Sequence, residues 1–368
     1  MIRFIYSTFY FFMLIFRKKY FDIVFYAPAY FNRGENGENP YFSHLIQCCE
    51  KHSLSYIVFE EPSKYNHIRN NKSIPFDFMF FLIITLRRWM KVKDDIIQTE
   101  NNIGDFLSGS FFRNFRYNNY IVVSKSMISV FSRIDKNAKL YDLQHGIIYT
   151  NKPDYFSDYI LSPHLRRNNI SLLLSGRLFK DILLKNGDKS FIENNAHVIG
   201  IKKNDRILHH YANRNVLVSL QFTVDHTYSQ NKKLLDELTA FINYNNEFNF
   251  FLKDHPRFNN EVILDNLYEL KNVFIAPSSL FHCFEKCSIH LTSYSTTTFE
   301  SAMHGIPTVF LTSLDEDFNM FSSDYCLQKN RSILYVFNNY NSESKFFSNW
   351  VQGFYAKFDK QKFISLLK

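Results

Sequence analysis

The feature that most constrains this chain is a repeated alternation. A short apolar run is followed by a turn rich in Gly, Asn or Pro, then by a segment with helical spacing, then by another apolar run. "FDIVFYAPAYF" (21–31) reads as a buried strand and "NRGENGENP" as a loop. "YFSHLIQCCEKHS" has helical spacing through Phe42, Leu45, Ile46 and Cys49, and "LSYIVFEEP" is a second strand. Strand, loop, helix, strand is the start of a parallel α/β sheet. The rhythm continues through "NYIVVSKS" (119–126), "KLYDLQHG" (139–146), "YILSP" (159–163) and "AHVIG" (196–200).

Residues 201–214, "IKKNDRILHHYANR", are polar and charged and read as a linker, with His209 and His210 solvated. "NVLVSLQFT" (215–223) starts a second sheet, and "FNFFLKDHP", "NVFIA", "SIHLTS" and "IPTVFLT" supply further strands. The chain therefore divides into two Rossmann-like domains, 1–203 and 204–340. A helical tail, 341–368, is expected to pack back on the first domain. Two such halves make a ligand cleft between them the expectation.

Composition excludes several classes. With 368 residues, 46% hydrophobic and 21% charged, the chain folds rather than staying disordered, and it is long enough for two domains. Five cysteines without a regular framework argue against a disulfide-stapled secreted protein and for a reducing, cytoplasmic compartment. The net charge of +8 is spread along the chain, with no zinc-finger spacing and no RNA-binding aromatic signature, so nucleic acid is not an expected partner. An anionic membrane surface or a phosphorylated substrate accounts for the charge. Two apolar runs, Phe4 to Phe16 and "FDFMFFLIITLRRWMKVK" (76–93), fall short of the roughly 20 residues a spanning helix needs. Each reads as a buried helix or as an interfacial segment on the cytoplasmic face of the inner membrane. "RKKYFD" after the first run lacks a small-residue cleavage site.

Chemistry concentrates in a few places. "LKDHPRF" puts Lys253, His255 and Pro256 at the C-terminal end of a strand, the edge that faces ligands in an open α/β sheet. "LTSYSTTTFESAMHGIP" then gives a strand, a hydroxyl-rich turn and a helix. The helix start suits a phosphate, and Ser293, Ser295, Thr296 and Thr297 add hydroxyl donors. Glu300, about one turn into the helix, is placed to accept from two ribose hydroxyls. This describes a nucleotide pocket without a Walker or GxGxxG pattern. In "LYDLQHGIIY", His145 is suited to accept a proton near neutral pH, and Gly146 lets the backbone turn sharply. Glu35 and Glu38 in the first loop are rival bases, and Arg33 there could bind an anionic donor or acceptor. His282, Cys283, Cys287 and His290 do not form a zinc set. Phe281, Phe284 and Cys287 share a helical face, and adjacent His282 and Cys283 point apart. With no DxD-like pair either, no metal is expected.

"FFLKDHP" followed by "IHLTSYSTTTFESAMHGIPTVFL" resembles the C-terminal domain of GT-B glycosyltransferases of bacterial surface-polysaccharide synthesis. The relatives it is similar to are the HP-motif sialyltransferases, the Kdo transferases and the glycerophosphotransferases of teichoic acid synthesis. The resemblance covers roughly 140 to 320. It implies a GT-B fold, two Rossmann-like domains facing across a cleft. It also implies that His255, Ser295 and Thr296 hold the donor phosphate and Glu300 the ribose. "LYDLQHGIIY" resembles the HG segment of the same group, which makes His145 a candidate base, with Gln144 and Gly146 beside it on the acceptor side. The implied activity is transfer of a sugar, inverting its anomeric centre, from a nucleotide donor to a cell-surface or lipid-linked glycan. The donor is expected to be CMP-linked, and no cofactor is expected. The HG, HP and Ser/Thr order also fits transfer of glycerol phosphate from CDP-glycerol, one alternative, which is weakened because that family's "DYSS" turn is "SYSTT" here, without its Asp. A nucleotide-sugar epimerase and a non-catalytic adaptor of the same fold are the others.

Overall fold

The apolar run at 21–31 becomes strand β1 (Lys19–Ala27), whose last five residues are all buried. A strand covered on both faces needs partners on both edges and helices above and below, and this one has them. The computed structural model describes residues 2–32, 35–62, 69–150, 152–158, 160–202, 207, 209, 211–223, 226–255, 258, 261–311, 322–327 and 332–368. They fall into two units, Met1–Lys202 with Ala356–Lys368, and Lys203–Tyr355.

In the first unit β1 is followed by β2 (Tyr56–Glu60), β3 (Ile74–Pro75), β4 (Phe115–Val123) and β5 (Lys139–Leu143). A two-stranded antiparallel hairpin, β6 (Phe156–Ser157) and β7 (Ile160–Leu161), precedes β8 (Ser171–Leu174) and β9 (Ala196–Val198). The main sheet has the order β3-β2-β1-β4-β5-β8-β9, with every pairing parallel. The order reverses between β1 and β4, the switch point of a doubly wound sheet. Phenylalanine fills this core. On one side Phe59 and Phe76 pack at 5.4 Å, and Tyr120 stacks on Phe131 at 4.3 Å. On the other, Phe25, Leu45 and Cys49 meet Phe363 and Ile364 of the last helix. Each such side chain withdrawn from water stabilises the fold by about 1.5–3 kcal/mol.

In the second unit β10 (Asn215–Ser219), β11 (Asn249–Lys253), β12 (Val273–Ile275), β13 (Ile289–Thr292) and β14 (Thr308–Phe310) form a parallel sheet of order β12-β11-β10-β13-β14. Its switch point lies between β10 and β13. The helix Tyr228–Tyr244 opens with a capping box of Thr227 and Gln230, so its first turn is fixed without tertiary help.

The expected tail 341–368 does not move as one piece. The helix Tyr340–Phe354 belongs to the second unit, because Trp350 and Phe354 pack on Phe299 at 4.8 and 5.3 Å. Only Ala356–Lys368 joins the first unit. Ala356 N donates to Ser175 O at 2.8 Å and Phe358 N to Ile201 O at 2.9 Å. Asn119 Nδ2 donates to Leu367 O at 3.0 Å. Gly200 makes this crossing possible: its φ is +77°, and a Cβ there would lie 2.4 Å from Lys357 O. His209, expected in solvent, instead meets Phe284 O through Nε2 at 2.7 Å, because the chain runs along the second unit here. His210 lies outside the described residues. Among those residues, no helix is long and apolar enough to cross a membrane.

Candidate functional site

The second unit carries hydroxyls at its switch point. Strand β13 pairs with β10, so Ser293 and the turn after it emerge at the ligand-facing edge. Ser293 is buried, and its hydroxyl has no hydrogen-bond partner. Ser295 Oγ donates to Thr297 Oγ1 at 3.1 Å and accepts from Thr297 N at 3.2 Å, which fixes the turn. Thr296 is exposed. The helix Thr297–Met303 then carries Glu300, half-buried, whose carboxyl is pushed up to about 7 by loss of water. A carboxyl there can either donate to or accept from a sugar hydroxyl.

Strand β11 brings His255 to the same edge, half-buried, with its carbonyl accepting from Phe258 N at 2.9 Å. Pro256 lies outside the described residues. Lys253 is not aimed at a ligand. Its Nζ donates to Pro277 O at 3.1 Å and Ser278 O at 2.6 Å, since a half-buried ammonium takes the nearest carbonyls.

The sequence reading missed His226. It is buried after β10, and its Nδ1 donates to Asn231 Oδ1 at 3.2 Å. That leaves Nε2 to accept from the Tyr294 hydroxyl. Tyr294 sits inside the hydroxyl turn, so His226 ties the loop after β10 to the turn after β13. The signal was a histidine, "TVDHTY", just past a buried strand.

His290 is a core residue. Its Nδ1 meets Thr308 Oγ1 at 3.0 Å and its Nε2 meets Ser219 Oγ at 2.9 Å, and burial pushes it down to about 3. Cys283 and Cys287 are buried with Leu217 and Ile306, and exposed His282 pairs with Glu285 at 2.7 Å. No group of His, Cys, Asp or Glu among the described residues is arranged to hold a metal.

The first unit places His145 two residues beyond β5. Its Nδ1 is buried without a partner, and its ring meets the Phe31 ring edge-on at 5.1 Å. Burial, then the Lys152 cation, push the imidazole down to about 4, against the pull of Asp154. It is therefore neutral at neutral pH and able to accept a proton. Lys152 Nζ lies 3.5 Å from Asp154 Oδ2 and donates to Ile147 O at 2.9 Å. Lys125 donates its ammonium to Asp154 O, and its backbone N to Asp142 Oδ1 at 2.9 Å. Asp142 is fully buried, and desolvation pushes its carboxyl up to about 7. Asp142 and Lys125 both stand in strand runs legible in the sequence, but nothing local in either run pairs them across 17 residues, and Lys152 and Asp154 come from a further turn.

Gln144 is committed to the loop. Its Nε2 donates to Gly146 O at 2.9 Å, and its Oε1 accepts from Ser175 N and Oγ at 2.9 and 3.0 Å. Gly146 has φ +63°, so the sharp turn needs glycine. Glu38 is exposed and lines a recess of about 160 Å³ with Asn39, Gln47 and Lys72. No hydrogen bond or ion pair among the described residues links Glu38 to His145. Glu35 begins a single 3-10 turn, Glu35–Gly37. Arg33 lies outside the described residues.

No family model matches the chain, and no curated protein matches it by sequence. Solved structures do match. UDP-GlcNAc 2-epimerase from Methanocaldococcus jannaschii is 14% identical at a TM-score of 0.53, over 94% of this chain and 99% of that one. UDP-GlcNAc 2-epimerase from Neisseria meningitidis, solved with UDP-GlcNAc bound, is 11% identical at 0.53, over 94% and 99%. A variant of the wall teichoic acid polymerase TagF is 10% identical at 0.51, over 94% and 87%. The chain has the GT-B fold. At these identities the likeness carries the fold alone.

Proposed function

We propose that this protein is a glycosyltransferase that moves a sugar from a nucleotide donor to a cell-surface or lipid-linked glycan, in the cytoplasm at the membrane bearing that acceptor. The observation that carries the reading is His145, a half-buried imidazole kept neutral and with its buried Nδ1 unpartnered. In this reading His145 takes the proton from an acceptor hydroxyl. The acceptor oxygen bonds to the anomeric carbon, the bond from that carbon to the phosphate oxygen breaks, and the nucleotide leaves with the electron pair. One displacement inverts the anomeric centre. The hydroxyls of Ser293 and Thr296, with His255, hydrogen-bond the departing phosphate while Ser295 fixes the turn through Thr297, so the step is assigned no metal and no cofactor. Glu300 is assigned to the ribose. Gln144 and Gly146 shape the loop bearing His145 on the acceptor side, Arg33 is assigned to that side with them, and Glu35 and Glu38 are the alternative bases.

The HP-type motif favours a CMP-linked donor such as sialic acid or Kdo. CDP-glycerol is the alternative for the same motif order. A second reading, nucleotide-sugar epimerase, draws support from the full-length likeness to two UDP-GlcNAc 2-epimerases. Melting temperature against CMP, CDP, UDP, GDP and dTDP tests the donor, because a ligand of the folded state alone raises it by mass action. The reading expects CMP to stabilise the wild type and not His255→Ala. UDP in its place, with acceptor-free interconversion of a UDP-sugar, would establish the epimerase. No response to any nucleotide would leave a non-catalytic adaptor.

A further inference from the structure

The helix Ile2–Leu14 is apolar on two sides. Its inner side buries Ser7, Phe11 and Leu14, as a core helix does. Its outer side, at spacings of three and four residues, presents Ile2, Ile5, Tyr6, Phe9 and, just beyond the helix, Phe16. Phe9 is 65% and Phe16 74% exposed. A helix that needs only to cover a core has polar residues there.

The helix Asp77–Trp89 lies beside it. Phe4 meets Phe81 at 6.0 Å and Phe11 meets Phe76 at 5.5 Å, so the two run antiparallel. Phe81 and Trp89, the latter 83% exposed, extend the same kind of surface along the second helix. Neither helix exposes a carboxylate. Ile2–Leu14 contains none, and Asp77 is buried and paired with Arg69 at 2.8 Å.

Exposed cations stand at both ends of this patch. Arg17, Lys18 and Lys19 follow the first helix, and Arg113 joins them, its guanidinium 5.9 Å from the Phe16 ring centroid. Arg88, Lys91 and Lys93 are exposed at the end of the second helix. A 13-residue helix is about 20 Å long, too short to span a bilayer but suited to lie in its interface. Trp belongs at that depth, and Lys and Arg at its edges reach anionic headgroups. A second copy of the chain fits less well, since a two-fold contact would set these cation clusters against one another.

We propose that the outer face of Ile2–Leu14 and Asp77–Trp89 is a docking surface for an anionic lipid bilayer. It does not depend on the transfer reading, because docking is measured without donor or acceptor. The test is flotation of the full chain with phosphatidylcholine vesicles, with and without phosphatidylglycerol. Co-flotation with the anionic vesicles is expected, weakened by salt. The double variant Phe9→Ser/Phe16→Ser should partition about tenfold more weakly or less, its unfolding temperature unchanged because both rings are exposed. Trp89→Ser, on the other helix, should weaken it independently. Lys18→Gln/Lys19→Gln should lower binding to anionic vesicles only. Absence of flotation, or flotation of the Phe9/Phe16 variant equal to wild type, would overturn the proposal. So would a wild-type dimer that the same variant dissociates while neither floats.

Discussion

His145 Nε2 lies 3.9 Å from Asp154 Oδ2, and the same oxygen lies 3.5 Å from Lys152 Nζ. One carboxylate thus stands between a cation and an imidazole. Burial and the cation hold the imidazole neutral, and the carboxylate opposes them. The signs separate the contributions. Removing the cation with Lys152→Gln should raise the histidine from about 4 toward its ordinary 6.5, so the acid limb of the pH–rate profile moves up. Removing the carboxylate with Asp154→Asn should move that limb down. Limbs that stay in place in both variants would show that His145 does not control the rate.

Asp142 makes a stability prediction. Its folded value of about 7 is raised above the ordinary carboxyl value of 3.8, so its contribution is full below that ordinary value and is lost as pH rises through about 7. Asp142→Asn keeps an acceptor for the Lys125 amide and cannot ionise. Its melting temperature should fall less than the wild type's between pH 5 and pH 8. Parallel curves would mean that the carboxyl is already ionised in the folded protein.

Ser293 separates binding from folding. Its buried hydroxyl has no partner, so Ser293→Ala should leave stability unchanged or raise it by up to about 1 kcal/mol. Nucleotide affinity should fall about tenfold, the effect of one lost hydrogen bond to a charged phosphate. Loss of stability with affinity intact would make the hydroxyl a structural group. Denaturant melts and nucleotide titration decide it.

Gly200 holds the crossing of the terminal segment. A Cβ 2.4 Å from Lys357 O, at φ +77°, forces backbone to move. Gly200→Ala should cost about 2 kcal/mol or more. A melt within a degree of wild type would show that the 356–359 segment yields without cost.

The doubly wound halves were legible because parallel strands must be apolar on both faces, and "FDIVFYAPAYF" and "NVLVSLQFT" are. The hydroxyl turn was legible because a strand, a Ser/Thr run and a helix follow one another without a gap. Lys253 misled because a lysine at a strand's end looks the same in sequence whether it faces a ligand or the carbonyls of Pro277 and Ser278. The pairing of Trp350 with Phe299 took the helix Tyr340–Phe354 into the second unit, a contact across about 50 residues that no local pattern carries. Around His145, Lys125 and Lys152 come from separate loops, so the charge balance that keeps the imidazole neutral is a property of the fold.

The central claim is tested most directly by the acceptor-dependent release of nucleotide from a nucleotide sugar, with wild type and His145→Gln compared at neutral pH. The account predicts turnover by the wild type that requires acceptor. It predicts a loss of about a hundredfold or more in the variant, the usual scale of a missing general base, with the nucleotide-induced rise in melting temperature intact. Equal turnover by the two proteins, or nucleotide release that ignores acceptor, would contradict it.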